Sequence, residues 1–205
     1  MLRLRDIKKL PSVERDTFYK DTFRAGIDGV MACLNEAVFM IIAIQLYRVS
    51  DFYKGLIVSA PFYGHLLNLG LVALAARTNL KKSFLVGTYT LGSALALFIA
   101  AFSRTGVGFS LAVVASLMFF NFRIPILTGI YEENYDHRRR GRLYSTGVIL
   151  FSTISIGANA LFGGLLERDY GLFRVVLLIS GVLMLVNAGI MYSLSASPVR
   201  AAKAR

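Results

Sequence analysis

The sequence predicts an all-α, polytopic membrane protein with six transmembrane helices and both termini in the cytoplasm. Three observations support this fold class. The chain has 205 residues, of which 56% are hydrophobic and 17% charged, and its mean hydropathy is +0.59. Its apolar residues fall in continuous blocks of about 20, the length of helix that crosses a bilayer core of roughly 30 Å. Its basic residues gather in the polar joins between these blocks, as in the cytoplasmic loops of membrane proteins.

The first three spans are each bounded by a polar join. Residues 1–24 are a basic, amphipathic lead-in, either a short helix at the membrane surface or a solvated tail. Span one covers 25–47 and ends at the join RVSDFYKG. Span two covers 55–76 and ends at ARTNLKKS, and span three covers 84–103.

The last three spans follow a tight join, SRTG, that includes Gly106. Span four covers 107–130 and leads into the longest internal polar stretch, YEENYDHRRRGRLYS. Span five covers 146–166 and span six covers 172–194, with the short turn ERDYGLFR between them. The predicted transmembrane domain is therefore 25–194, and a basic cytoplasmic tail of residues 195–205 follows it.

The distribution of Lys and Arg sets the orientation. Of the 23 basic residues, 17 lie in the lead-in, the second and fourth joins and the tail. Five lie in the joins on the opposite side, and Arg123 lies inside span four. This asymmetry places both termini in the cytoplasm, and the net charge of +11 indicates membrane loops rather than a nucleic-acid partner. We expect a multi-pass integral protein of the cell (inner or plasma) membrane.

Polar side chains are concentrated in spans one, two, four and five. Spans three and six contain no ionisable group in their interior, and span six offers only Asn187. Polar groups inside a membrane are costly and usually line a pathway or pair with one another. We therefore predict that spans three and six face lipid or a partner, and that a substrate or proton pathway is lined by Asp28, Asn35, Glu36, His65, Asn68, Asn121, Arg123 and Asn159.

Asp28, Arg123 and Glu36 are the candidates for ion coupling. Measured from the span centres at about 1.5 Å per residue, Asp28 lies roughly 12 Å and Arg123 roughly 7 Å toward the cytoplasm. Side-chain reach can close that difference in a buried pair, and the alternative is that Arg123 snorkels to the headgroups. Glu36 lies near the midplane, where it is either a proton carrier or a permanently protonated, hydrogen-bonded group.

No enzyme site or metal site is predicted. His65 and Asn68 are three residues apart and could line one cavity, although a lone histidine in a helix is more often a packing residue. The chain contains no His, Cys, Asp or Glu cluster with ligand spacing, and no hydrolase or phosphate-loop motif. Cys33 is the only cysteine, so no internal disulfide can form. We expect neither a cofactor nor an enzymatic activity.

The layout resembles the N-terminal six-helix half of a major facilitator superfamily transporter. The segment NFRIPILTGIY in span four is similar to the R-x-x-x-G type motif of that family, and RRRGRLYS is similar to the R-G-R before its fifth helix. In that family helices one, two, four and five line the path. The resemblance implies cytoplasmic gate loops, here with Arg77, Lys81, Lys82, Arg140 and Arg142.

The second join departs from the family pattern G-x-x-x-D-[RK]-x-G-[RK]-[RK]. Ala76 stands where the aspartate would be and Asn79 where the glycine would be. Members of the family have two such halves, so the resemblance implies a fragment, a half-size chain that pairs, or a product without transport.

These observations predict secondary active transport of a small solute, with or without protons, by alternating access. The implied partners are the lipid bilayer, the solute, and a second copy or a C-terminal half. The alternative is a non-transporting structural or assembly protein whose basic face binds lipid headgroups or a partner.

Overall fold

The computed structural model describes residues 10–199, and within that range every regular element is helical except for one isolated β-bridge. The α-helices are α1 (Ser12–Cys33), α2 (Phe39–Ile41), α3 (Asp51–Thr78), α4 (Lys82–Phe102), α5 (Gly106–Phe122), α6 (Ile124–Asn134), α7 (Arg140–Arg168) and α8 (Phe173–Tyr192). The π-helical segments Leu34–Val38 and Ile42–Leu46 flank α2, and a 3₁₀ turn at Tyr170–Leu172 precedes α8. The all-α prediction is confirmed.

Within residues 10–199, four helical segments are long and apolar enough to cross a membrane: Lys82–Phe102, Gly106–Asn134, Arg140–Arg168 and Tyr170–Tyr192. A fifth is α3, if its parts Asp51–Asn68 and Gly70–Arg77, which are bent by 42° to each other, form one span. The predicted span one is not among them, because α1 includes charged residues of the lead-in and π-helical segments interrupt its apolar continuation. The sixth span and the cytoplasmic termini stay predictions.

The first helix is continuous across the predicted boundary between the lead-in and span one. It starts at Ser12, directly after Pro11, whose fixed φ and missing N–H suit the start of a helix. Residues 12–24 are therefore the first turns of α1, and there is no helix boundary at residue 24. Residues 1–9 of the lead-in and 200–205 of the tail lie outside the described part of the chain.

Predicted span four is divided into two helices at Arg123. Helix α5 ends at Phe122 and α6 begins at Ile124, with Pro125 in its first turn. Proline has no N–H to donate and clashes with the preceding turn, so it ends one helix and begins the next well. The junction places Arg123, whose side chain is buried, at the end of α5.

The helices pack in the order α3, α5, α4, α8, α1, α7, with each one contacting the next. The edge helix α7 has only 11% of its most apolar window buried, whereas the inner helix α4 has 56%. Helices α4 and α8 occupy the centre of this row, yet both also carry exposed apolar side chains, such as Ile99 on α4 and Val182 on α8. That spans three and six face lipid or a partner stays a prediction. Sequence polarity indicated which helices carry polar groups but not which helices are enclosed.

Helices α1 and α7 approach each other closely at Gly29. A Cβ atom added to Gly29 would lie 2.5 Å from the backbone oxygen of Phe151, so only glycine fits there. The same kind of addition at Gly26, one turn earlier, meets nothing closer than 3.8 Å. Gly29 thus allows backbone contact between the two helices next to Asp28, as small residues do in membrane helix packing.

Candidate charge cluster and cavity

Asp28 is the centre of a buried hydrogen-bonded cluster contributed by three separate parts of the chain. Its Oδ1 atom lies 2.6 Å from Arg123 Nη2 and accepts a hydrogen bond of 2.9 Å from Asn187 Nδ2. Its Oδ2 atom accepts from Arg24, one turn earlier on α1. Asp28 is 3% exposed and Arg123 2% exposed. The Asp28–Arg123 pair that the sequence placed within side-chain reach is therefore present.

A second carboxylate extends the cluster toward the start of α1. Arg24 Nε donates to Asp21 Oδ1 at 2.8 Å, and the hydroxyl of Tyr131 on α6 donates to the same oxygen. Asp21, Arg24 and Asp28 are spaced so that all three share one face of α1. Two carboxylates and two guanidinium groups alternate here, so the formal charges of the four side chains cancel.

One nitrogen atom of the Arg123 guanidinium donates no hydrogen bond to the described residues. Its Nε donates to the carbonyl oxygen of Phe120 at 3.1 Å, and its Cζ lies 4.0 Å from the centroid of the Phe120 ring. Its Nη2 pairs with Asp28, but Nη1 has no hydrogen-bond partner in the structure. A buried donor without a partner costs about 1–3 kcal/mol, more for a charged group, so such an atom in a native protein usually has a use.

A cavity of about 330 Å³ lies against this cluster, between α1, the α5–α6 junction and α7. Its lining combines both arginines and Asp28 with aromatic and aliphatic side chains. The residues are Arg24, Ala25, Asp28, Phe120, Arg123, Ile124, Leu127, Thr128, Tyr131, Tyr144, Gly147, Val148 and Phe151. An apolar wall with a few convergent polar groups is typical of small-molecule sites, and the volume lies near the lower end of their range of roughly 300–1,000 Å³.

Two of the predicted pathway residues meet elsewhere, between α3 and α5. Asn68 Nδ2 donates to the carbonyl oxygen of Asn121 at 3.3 Å, and Asn121 Nδ2 donates to the carbonyl oxygen of Leu117 at 2.7 Å. Both side chains are buried, and Asn68 Oδ1 has no partner in the structure. These contacts join an edge helix to its neighbour, and neither asparagine lines the cavity.

Three more of the predicted pathway residues do not line the cavity. Asn35, in the first π-helical segment, and His65, on α3, are exposed, and Asn159 is half-buried on α7. The side chain of Glu36 lies outside the part of the chain that the structure describes. Its role as a proton carrier stays a prediction.

The predicted gate residues lie at the end of the bundle where α3 ends and α4 and α7 begin. Lys82 Nζ pairs with Glu133 Oε1 at 2.6 Å, and Glu133 also accepts from the Ser197 backbone N–H at 3.2 Å. Arg140 Nη2 donates to the carbonyl oxygen of Glu132 at 3.2 Å. The remaining predicted gate residues, Arg77, Lys81 and Arg142, are exposed.

The segment after α8 is tied to the join between α3 and α4. Lys82 N donates to Ser197 O at 3.1 Å, and Val199 N donates to Leu80 O at 2.9 Å, across the β-bridge of Lys81 and Pro198. Asn79 has φ 53°, in the left-handed region that glycine and asparagine tolerate best. This conformation accounts for an asparagine directly after the end of α3.

Burial also raises the pKa of Tyr135, which follows α6 at the same end of the bundle. The nearby carboxylates of Asp21 and Glu14 raise it further, while Arg24 lowers it. Its phenol ring stacks on Tyr131 with the centroids 5.5 Å apart. The Tyr135 hydroxyl therefore stays protonated at physiological pH.

Sequence reasoning missed four members of the cluster: Asp21, Arg24, Tyr131 and Asn187. The spacing of Asp21, Arg24 and Asp28 on one helical face was a readable signal, but the predicted boundary at residue 24 separated them. Asn187 was assigned to a lipid-facing or partner-facing span, and the structure corrects this because Asn187 is fully buried against Asp28. No local pattern could indicate that contact, which joins residues 159 positions apart.

No group of three or more His, Cys, Asp or Glu side chains that could hold a metal occurs among the described residues. No protein-family model and no curated protein matches the chain.

Proposed function

We propose that this chain forms one half of a secondary active transporter that moves a small solute by alternating access, with six spans and cytoplasmic termini. The observation that carries the proposal is the buried cluster of Asp28, Arg123, Arg24 and Asn187 beside a cavity. Ionisable groups among apolar helices are costly and are usually retained for transport pathways or ion relays.

The cluster can change partners when its charge changes. Asp28 accepts from two arginines and one asparagine, so a proton on this carboxyl would weaken both ion pairs together. The released guanidinium of Arg123 would then favour a new acceptor in the cavity. Coupling between a proton, an arginine and a solute needs this kind of exchange among groups in contact.

The two outermost helices of the bundle support the proposal that this chain is one half of a larger transporter. Both α3 and α7 have a neighbour on one side only, and both carry large exposed apolar side chains, among them Phe62 and Leu66 on α3 and Ile149 and Ile156 on α7. Lipid or a second half would cover these faces. In two-halved transporters the solute path lies between the halves.

The test is uptake into proteoliposomes reconstituted with the purified chain. A panel of labelled sugars, amino acids, organic acids and organic cations is offered with and without an inward proton gradient. We expect at least one solute to accumulate above protein-free liposomes, and Asp28→Asn to abolish its accumulation. Light scattering with the detergent subtracted accompanies the assay, and we expect about twice the chain mass of 22.6 kDa if two copies form the path. Absence of uptake by an assembled dimer would refute the proposal.

The second candidate is a non-transporting membrane protein that binds anionic headgroups. It is favoured by the exposed residues Arg138, Arg139 and Arg142 around the start of α7. In that case Asp28→Asn would leave vesicle binding unchanged, whereas replacing these three arginines by glutamine would abolish it.

A further inference from the structure

We infer that the cavity beside Asp28 binds a singly charged oxyanion with an apolar body, held by Nη1 of Arg123. The inference rests on the proposed function and deepens it, because it names the chemical class of solute that this site would carry.

The hydrogen bonds already made by the polar residues of the cavity wall favour a ligand that accepts a hydrogen bond. Both carboxylate oxygens of Asp28 already accept from donors, Oδ1 from Arg123 and Asn187 and Oδ2 from Arg24. Thr128 donates its hydroxyl hydrogen to Ile124 O at 3.1 Å. Among the described residues that line the cavity, Arg123 has a buried atom without a hydrogen-bond partner, Nη1, and this atom can only donate. A ligand that donates without accepting would leave that atom unpaired.

The geometry of the guanidinium favours an anion over a neutral acceptor. Arginine presents its donors in a planar fork and can serve two carboxylates at once, one from each side. Asp28 occupies Nη2, and Nη1 is left for a second oxyanion. The side chain is held in place by its hydrogen bond to Phe120 O and by the Phe120 ring, so little conformational entropy is lost on binding.

The apolar residues of the cavity indicate that the rest of the ligand is apolar. The side chains of Phe120, Leu127, Val148 and Phe151 line the same cavity as the arginines and give it an apolar surface. An aromatic or short aliphatic group attached to the oxyanion would fit against them, whereas an inorganic ion would leave this surface without contacts. The ligand is thus an organic carboxylate or a phosphate diester, taken either from solution or from a lipid headgroup.

Tryptophan fluorescence provides a test that does not depend on transport. The chain contains no tryptophan, so Phe151→Trp introduces a single reporter in the cavity wall. Benzoate is titrated into this variant in neutral detergent, with benzamide as the uncharged isostere. We expect a saturable change with benzoate and at least tenfold weaker binding of benzamide. Phosphatidylglycerol nanodiscs, compared with phosphatidylcholine nanodiscs, test the lipid source of the same chemistry.

Two further substitutions in the reporter background locate the binding site. Arg123→Lys keeps a positive charge for Asp28 but removes Nη1, and we expect it to weaken benzoate binding about tenfold or more. Val148→Phe fills the cavity and leaves the arginines intact, and we expect it to abolish binding. The matched control is Arg104→Lys, which changes an exposed arginine between α4 and α5. We expect this variant to bind benzoate as tightly as the parent protein.

The inference is overturned if neither benzoate nor phosphatidylglycerol changes the fluorescence of folded protein, or if benzamide binds as tightly as benzoate. It is also overturned if both cavity variants bind like the parent. Benzoate binding without uptake of any solute would refute the proposed transport and leave the site standing. Uptake of neutral solutes without benzoate binding would refute the anion site and leave the proposed transport standing.

Discussion

Two ion pairs of this protein have the same length and different surroundings. Arg123 Nη2 and Asp28 Oδ1 are 2.6 Å apart, and these side chains are 2% and 4% exposed. Lys82 Nζ and Glu133 Oε1 are also 2.6 Å apart, but these side chains are 19% and 33% exposed. Water can replace a lost partner in the second pair but not in the first. Burial, rather than distance, therefore decides how strongly each protein charge depends on its partner.

The largest expected effect comes from removing the charge of Asp28. Asp28→Asn leaves Arg123 and Arg24 facing each other without their shared carboxylate, and we expect a loss of about 3–5 kcal/mol in the free energy of unfolding. Unfolding by SDS in mixed micelles, followed by far-ultraviolet circular dichroism, measures it. The control is Asp51→Asn, whose carboxylate is 97% exposed. A loss no larger than that of the control would contradict the buried pair.

The next effect tests how closely α1 and α7 approach beside the pair. In Gly29→Ala the new methyl group would meet Phe151 O, so the helices must separate, and overpacking of this kind costs about 1–3 kcal/mol. Gly26→Ala is the matched control, because its methyl group has room and should change stability by about 0.5 kcal/mol or less. The same SDS titration compares them. Equal stability of the two variants would show that α7 does not pack against α1 as described.

The sequence predicted where the helices lie along the chain far better than it predicted which helices pack against each other. Continuous apolar blocks marked α3, α4 and α8 to within about four residues, because length and hydropathy are local properties. They also marked the end of α7, but this helix begins at Arg140, before the predicted span. The pairing of Asp28 with Arg123 could be predicted because the span boundaries placed both residues toward the same side of the predicted membrane. The roles of Asn187 and Gly29 depend on which helices touch, and that is decided by side-chain packing across the whole row.

A smaller effect is expected at the exposed pair. Lys82→Gln removes the ion pair with Glu133, but water and Ser197 remain as partners for the carboxylate, so the loss should be about 0.2–1 kcal/mol. The SDS titration measures it beside the wild type. A loss as large as that of Asp28→Asn would contradict the distinction between the two pairs.

The smallest effect is that of salt. Raising NaCl from about 0.1 M to about 1 M shortens the Debye length from roughly 10 Å to 3 Å. We expect the difference in stability between wild type and Lys82→Gln to vanish at high salt, because that pair reaches water. The difference between wild type and Asp28→Asn should persist. Equal salt sensitivity of the two differences would mean that Asp28 is solvated.

The most direct test of the central claim is uptake by a double variant, Asp28→Asn with Arg123→Met. The double variant removes one carboxylate and one guanidinium and leaves Arg24 paired with Asp21, so the cluster keeps a formal charge of zero and this protein should fold and insert. In proteoliposomes with equal amounts of folded protein, we expect the wild type to accumulate its solute and the double variant not to. Equal uptake by the two proteins, or no uptake by the wild type, would contradict the assignment of the Asp28–Arg123 cluster to transport.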